Sequence, residues 1–279
     1  MTLNPIAVEE LVRRALVEHI GPEDLTTSAV VPADATCTAV VIARDSGILC
    51  GHPVAAATFR TIDPSLRYEP LVDEGSEVTA GQGVARISGR ARSVLAAERV
   101  ALNFLQHMSG IATTTRRLAE AIKYYHARMV ESHETTPGLR GIERYAVRVG
   151  GGQNHRFGLS DAIVVKASHL ALSGGVREAV VAARRSAPHT GRVAVEVRSL
   201  EELQEGLDAG ADILVLVDMD AETLKRAVEL SSGRAVLEAA GNISPANLVE
   251  VAKTGVDIIA LGALTHSVCA LPFVLEVAP

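Results

Sequence analysis

From residue 128 onward the chain keeps one rhythm: a short apolar run of strand character, then a stretch with helical spacing, repeated. The apolar runs fall at 128–131 (RMVE), 162–166 (AIVVK), 193–197 (VAVEV), 213–217 (ILVLV), 234–238 (RAVLE) and 258–261 (IIAL), with helical patterns at 141–149, 174–185, 199–208, 221–230 and 244–253. Continuous apolar strands that alternate with helices are buried on both faces and build a parallel sheet covered by helices. About 140 residues cannot hold the eight units of a full barrel, which takes roughly 250. The expected fold is therefore α/β, an incomplete barrel of six or seven strands.

The first part of the chain reads differently. Residues 6–19 place Val8, Leu11, Val12, Ala15 and Leu16 at helical spacing and stop at Gly21-Pro22. From about 36 to 90, short β-rich runs punctuated by Gly, Asp and Pro predict a small antiparallel sheet. Within it, residues 73–89 (DEGSEVTAGQGVARISG) resemble a biotinyl-type sandwich, but the turn has no lysine, which argues against a carrier role. Residues 93–122 predict one or two long helices, with Val94, Leu95, Leu102, Leu105 and Met108 on one stripe and a break near Gly110. The expected division is a small α+β open sandwich over 1–112, joined by 269–279, and a barrel over 113–268.

Composition narrows the function classes. With 48% apolar and 22% charged residues, the 279-residue chain can bury a large core. Its 27 Lys+Arg against 33 Asp+Glu, without a block of like charge, argue against a nucleic-acid or anionic-membrane surface. The longest apolar runs fall well short of the roughly 20 residues a membrane span needs. The opening MTLNPIAVEELVRR has no signal-peptide core, and Cys37, Cys50 and Cys269 are too few and scattered for a metal cluster or disulfide framework. A cytoplasmic protein is expected. At 3% aromatic residues and no Trp, the composition argues against base stacking or an aromatic cage.

In such a barrel the chemistry sits on the loops after the strands. Those positions carry Glu131-Ser132-His133-Glu134, Lys166 with His169 three residues on, Glu196, Asp218, Glu238 before Ala240-Gly241-Asn242, and Gly262-Ala263. At any one of them a solvated loop charge is the plain alternative. Lys166 and Glu196 each end or interrupt an apolar strand, which predicts a place deep in the mouth, where a charge needs a partner or a ligand. Gly150-Gly151-Gly152 ahead of Gln153-Asn154-His155-Arg156 suits a backbone approach to an anion with Arg156 as fork donor, or a helix C-cap followed by surface polar residues. Arg99, on the apolar helix AAERVALNFLQ, reads alone as a snorkelling side chain.

Taken together, the segments Glu98–Gln106, Ser109–Thr113, Thr135–Arg140, Glu143–Arg148, Gly150–Gly152, Asn154–Leu159, Asp208–Ile213 and Gly262–Ser267 resemble the quinolinate phosphoribosyltransferase family. The resemblance covers nearly the whole chain. It implies a decarboxylating enzyme that makes nicotinate mononucleotide, with an open N-terminal sandwich, an incomplete barrel, and a homodimer whose site is completed by the neighbouring subunit. By position, Arg99 resembles the arginine lent across that interface, and His155, Arg156 and Lys166 resemble the bases that bind the pyridine dicarboxylate. Glu196 resembles a carboxylate near the ribose and Mg²⁺ of phosphoribosyl pyrophosphate, with Asp218 as a second metal-side candidate. Gly241 and Gly262 resemble phosphate-loop glycines.

The pocket departs from that pattern. The family's Thr-Arg-Lys-Thr is Ser132-His133-Glu134-Thr135, its Lys-Asp-Asn-His is Lys166-Ala167-Ser168-His169, its Leu-Asp-Asn is Leu216-Val217-Asp218, and its Ser-Gly-Gly is Ala240-Gly241-Asn242. Replacing Arg-Lys by His-Glu weakens the expected hold on a dianion, since a carboxylate ~4 Å from it costs on the order of 4 kcal/mol per charge pair at an effective dielectric near 20. Three readings follow: an enzyme that still uses the phosphoribosyl donor, a divergent paralogue with another acceptor or reaction, and a catalytically silent binding subunit.

Overall fold

The computed structural model describes residues 2–278. Its first half runs α1 (Pro5–Ile20), α2 (Leu25–Val30), β1 (Thr36–Ala43), β2 (Gly47–Ile48), α3 (His52–Ile62), β3 (Arg67–Pro70), β4 (Glu77–Val78), β5 (Gly83–Arg90) and α4 (Ala91–Ile122). It continues β6 (Arg128–Glu131), α5 (Arg140–Val149), β7 (Ile163–Val165), α6 (Ala167–Ser173), α7 (Val176–Ser186), β8 (Val193–Val197), α8 (Leu200–Ala209), β9 (Ile213–Val217), α9 (Ala221–Ser231), β10 (Val236–Ala240), α10 (Leu248–Ala252), β11 (Ile258–Leu261), α11 (Ala263–His266) and β12 (Phe273–Val277).

Two compact units divide the chain. The first gathers residues 1–116, 135–151 and 264–279; the second holds 117–134 and 152–263. In the first unit, an antiparallel sheet of order β12-β1-β5-β3 packs its alternating buried residues, Ala39, Val41 and Ala43 on β1 among them, against Phe59 of α3 and Leu102 and Leu105 of α4. β12 joins it by pairing with β1 from Ala39↔Val277 to Ala43↔Phe273. Two findings differ from the sequence expectation. α3 lies inside the stretch read as sheet alone; its buried Val54, Ala55, Thr58 and Phe59 follow helical spacing, and Pro53 sits in its first turn. α4 runs unbroken through Gly110, where a Cβ would overlap the Cys269 carbonyl oxygen. That glycine permits a close backbone approach and does not end the helix.

The second unit is a six-stranded parallel sheet of order β6-β11-β10-β9-β8-β7, with α6 and α7 following β7, α8 following β8, α9 following β9 and α10 following β10. Its two edges are β6 and β7. A single parallel bridge, Val130↔Gln153, begins to line the gap beside β6, so the barrel is incomplete as expected. β10 sits two residues later than the apolar run suggested. Glu238 is thus mid-strand, opposite Val215 and Ile258, and 5% exposed, while the strand ends at Ala240. α10 is shorter than its pattern, because Asn247 Oδ1 accepts the Ser244 N–H and ties 244–247 into a turn.

Candidate active site

Because the six strands are parallel, all their C-terminal ends open on one face. There a cavity of about 220 Å³ is lined by His133, Glu134, His155, Lys166, Glu196 and Glu238, with Gly241 and Gly262 at its edge. The loops thus bring together seven of the residues singled out from sequence. Glu238, named from sequence as a strand-end residue but given no role, lines the cavity as well.

The segment after the Gln153 bridge is anchored by Glu131, which is fully buried at the end of β6. Its carboxylate accepts from Asn154 Nδ2 at 3.0 Å and from the His155 N–H at 3.2 Å. His155 is thereby set over the strand ends, with Nε2 3.4 Å from Glu238 Oε1. Its Nδ1 accepts the Arg156 N–H at 2.8 Å. Arg156 also donates from Nε to His133 Nε2 at 3.1 Å and from Nη1 to the Ala162 carbonyl at 2.9 Å. The His133 and His155 rings meet edge to face at 5.0 Å. Arg156 lines a second chamber, about 170 Å³, that shares His155, Val164 and Glu238 with the mouth.

Across the mouth, Lys166 follows β7 and is the N-cap of α6. It is exposed at the rim, which corrects the expectation of a deeply buried lysine: β7 ends one residue sooner, at Val165. Its backbone N–H is accepted by His169 Nδ1 at 2.9 Å, so the His169 imidazole serves the turn of α6, and His169 does not line the mouth. Glu196, half-buried on β8, accepts the Ala167 N–H at 3.2 Å and keeps a face on the cavity. Asp218 is turned elsewhere. It adopts a left-handed φ of 57°, its Oδ1 accepts the Asn242 N–H at 3.2 Å, and a Cβ on Gly241 (φ 98°) would overlap that carboxylate. Gly241 is therefore required by the latch between the loops after β9 and β10.

Two other sequence readings resolve in the first unit. Gly150 is the C-cap of α5, pressed so closely on α4 that a Cβ would lie 2.6 Å from the Ala112 carbonyl oxygen; Arg116 donates to the carbonyls of Val149 and Gly150 at 3.3 and 3.1 Å. The triple glycine is accordingly a helix end. Arg99 is exposed on α4.

Comparison with known proteins covers almost the whole chain. Residues 24–109 match the model of the quinolinate phosphoribosyl transferase N-terminal domain, and residues 111–276 that of its C-terminal domain. Proteins named "probable nicotinate-nucleotide pyrophosphorylase, carboxylating" are similar from Synechocystis sp. (39% identical over 92% of this chain and 88% of the relative) and Bacillus subtilis (35% over 99% and 95%). The solved nicotinate-nucleotide pyrophosphorylase of Francisella tularensis superposes with a TM-score of 0.95 at 37% identity, covering 99% of this chain and 98% of that one.

Proposed function

Because this chain belongs to the quinolinate phosphoribosyltransferase family, we propose that it transfers phosphoribose from phosphoribosyl pyrophosphate to the ring nitrogen of quinolinate, with loss of carbon dioxide. The chain is a pentosyltransferase by kinship with relatives that span it end to end. All the relatives named above carry pyrophosphorylase names, so none of them supports a divergent reaction or a silent subunit.

The observation that carries this reading is the sharing of one small mouth by two kinds of group: the bases His155 and Lys166, and the carboxylates Glu196 and Glu238. Bases suit an anionic acceptor and phosphates; carboxylates favour positive charge that develops on a ribosyl carbon. The hydroxyl at the mouth, Ser132, donates to the exposed Glu134 at 3.2 Å, and the proposed transfer needs no protein nucleophile. In the proposed reaction the pyridine nitrogen attacks the ribosyl carbon as its bond to pyrophosphate breaks. The ring, now cationic, takes the electron pair left by departing carbon dioxide, and a solvent proton fills that carbon. The protein's task is positioning and charge, with Lys166 and Arg156 holding anionic groups and Glu196 facing the ribose.

Phosphoribosyl pyrophosphate would enter with Mg²⁺, an ion that takes one or two carboxylates together with substrate phosphates and waters. Glu196, which lines the mouth, fits that part; Asp218 does not line it. Among the described residues no cluster of three or more His, Cys, Asp and Glu could hold an ion unaided, so the phosphates would have to supply the remaining oxygens. When bound, the ion screens the phosphates from the carboxylates of the mouth.

The same reading makes the protein a homodimer, with Arg99 lent to the partner's mouth. Its support is the rim of the second unit: α6 has no buried residue, and Leu159 and Leu172 are 88% and 89% exposed. A cytoplasmic setting fits the substrates, and no helix among the described residues is long and apolar enough to cross a membrane. The test is incubation of the full chain with Mg²⁺, phosphoribosyl pyrophosphate and quinolinate. Nicotinate mononucleotide and carbon dioxide in equal amounts support the reading; neither product, with the protein folded, overturns it.

A further inference from the structure

Residue 156 fixes the proton positions of two histidines at once. Its backbone N–H points at His155 Nδ1 (2.8 Å), which must therefore be the lone-pair nitrogen, leaving the ring proton on Nε2 toward Glu238. Its side-chain Nε–H points at His133 Nε2 (3.1 Å), which leaves the His133 ring proton on Nδ1. The two rings, edge to face, thus carry opposite tautomers, one set through the backbone and the other through the side chain.

The consequence for Arg156 is the more informative. Two of the five donors of its guanidinium are engaged here, and both acceptors, an imidazole nitrogen and the Ala162 carbonyl, are neutral. A carboxylate at 133 would hold the guanidinium but cancel its charge; a lysine or arginine there would place like charge beside it. A neutral imidazole orients the cation and adds no opposing charge to that of Asp161, which already feels the guanidinium. We propose that His133 is a positioning residue: its unprotonated Nε2 aims the Arg156 guanidinium, without neutralising it, at a carboxylate of the acceptor. The assignment rests on the transfer reading only in taking that ligand to be the anionic acceptor.

Two arms test it. In the full chain with ring-15N-labelled histidine, His133 shows a lone-pair Nε2 and His155 a lone-pair Nδ1. Arg156→Met then releases His133 into a mixture of tautomers and leaves His155 unchanged, because the backbone N–H survives the substitution. A protonated Nε2 on His133 in the wild type, or no response of His133 to Arg156→Met, overturns the proposal. In kinetics, His133→Leu raises the KM for quinolinate about tenfold or more while kcat and the KM for phosphoribosyl pyrophosphate stay within about threefold. His133→Gln, whose amide oxygen reaches the Nε2 position, rescues the KM to within about threefold. If the leucine variant keeps its KM, or glutamine fails to rescue it, the positioning role is wrong. A wild type that folds but forms no nucleotide sinks the transfer reading, and the tautomer arm still decides whether His133 holds Arg156.

Discussion

His52 and His155 are held by similar means to opposite ends. In the first unit, His52 Nδ1 accepts from the Tyr68 hydroxyl at 2.6 Å and Nε2 donates to the Val72 carbonyl at 3.0 Å. The residue is 6% exposed, and burial holds its imidazole below the usual value while pushing the Tyr68 phenol up. Nearby, Glu74 accepts the N–H groups of Gly51 and His52, capping α3 where Gly51 has no side chain to do so. Both ring nitrogens of His52 are satisfied within the fold. In the second unit His155 is also fixed by a backbone group, yet its other nitrogen stands at a long 3.4 Å from Glu238 and its ring lines the mouth. A polar network closed on itself supports a fold; one that stops at a cavity is arranged for something that enters.

That contrast breaks most visibly at Lys166. Lys166→Ala should lower kcat/KM for nucleotide formation by about 10²–10³-fold, as loss of a charge-stabilising contact does, while Tm moves by less than about 2 °C because the side chain is at the rim. Loss of Tm without loss of rate would put the lysine on the wrong side of the comparison. His52→Ala should do the reverse. It leaves the Tyr68 hydroxyl and Val72 carbonyl unpaired in the interior and should cost about 3 kcal/mol in denaturant unfolding, with kcat/KM within about twofold well below Tm. A fall in rate at full folding would show that His52 serves the reaction.

Smaller effects sharpen the same division. Glu134 is exposed at the mouth, with Ser132 donating to it. Glu134→Gln removes one negative charge from the approach of a dianion and should lower the KM for quinolinate about threefold to tenfold, a gain that shrinks as salt rises. A KM that does not fall would mean that Glu134 faces away from the acceptor. The smallest effect lies in the first unit. Hydrogen bonds from Ser65, chiefly its hydroxyl, hold the Asp63 carboxyl at about 2, below its usual 3.8. A lowered folded-state value stabilises at pH above the unfolded value, and the contribution is lost as pH falls from about 4 toward 2. The Tm difference between wild type and Asp63→Asn should thus be widest above pH 5 and close near pH 2; a constant difference would contradict the assignment.

Much of this was legible in the sequence because the barrel's period is local. Five of its six strands lie within a residue of the apolar runs, and the mouth residues His133, Glu134, Lys166 and Glu196 follow from where parallel strands end, while His155 was read from the glycine run ahead of it. What escaped depends on distant neighbours. Gly110 looks like a helix breaker until the Cys269 backbone is seen lying against it. Asp218, read as a metal-side candidate by position, lies outside the lining of the mouth with its Oδ1 on the Asn242 N–H. The bond from Arg156 to His133 joins segments 23 residues apart that no spacing rule connects.

The comparison of the two histidines can be tested in one titration. Adding quinolinate to the ring-15N-labelled full chain should shift the His155 and His133 signals saturably and leave those of His52 in place. Site signals that stay still while the acceptor is added, or a His52 signal that moves with it, would contradict the account.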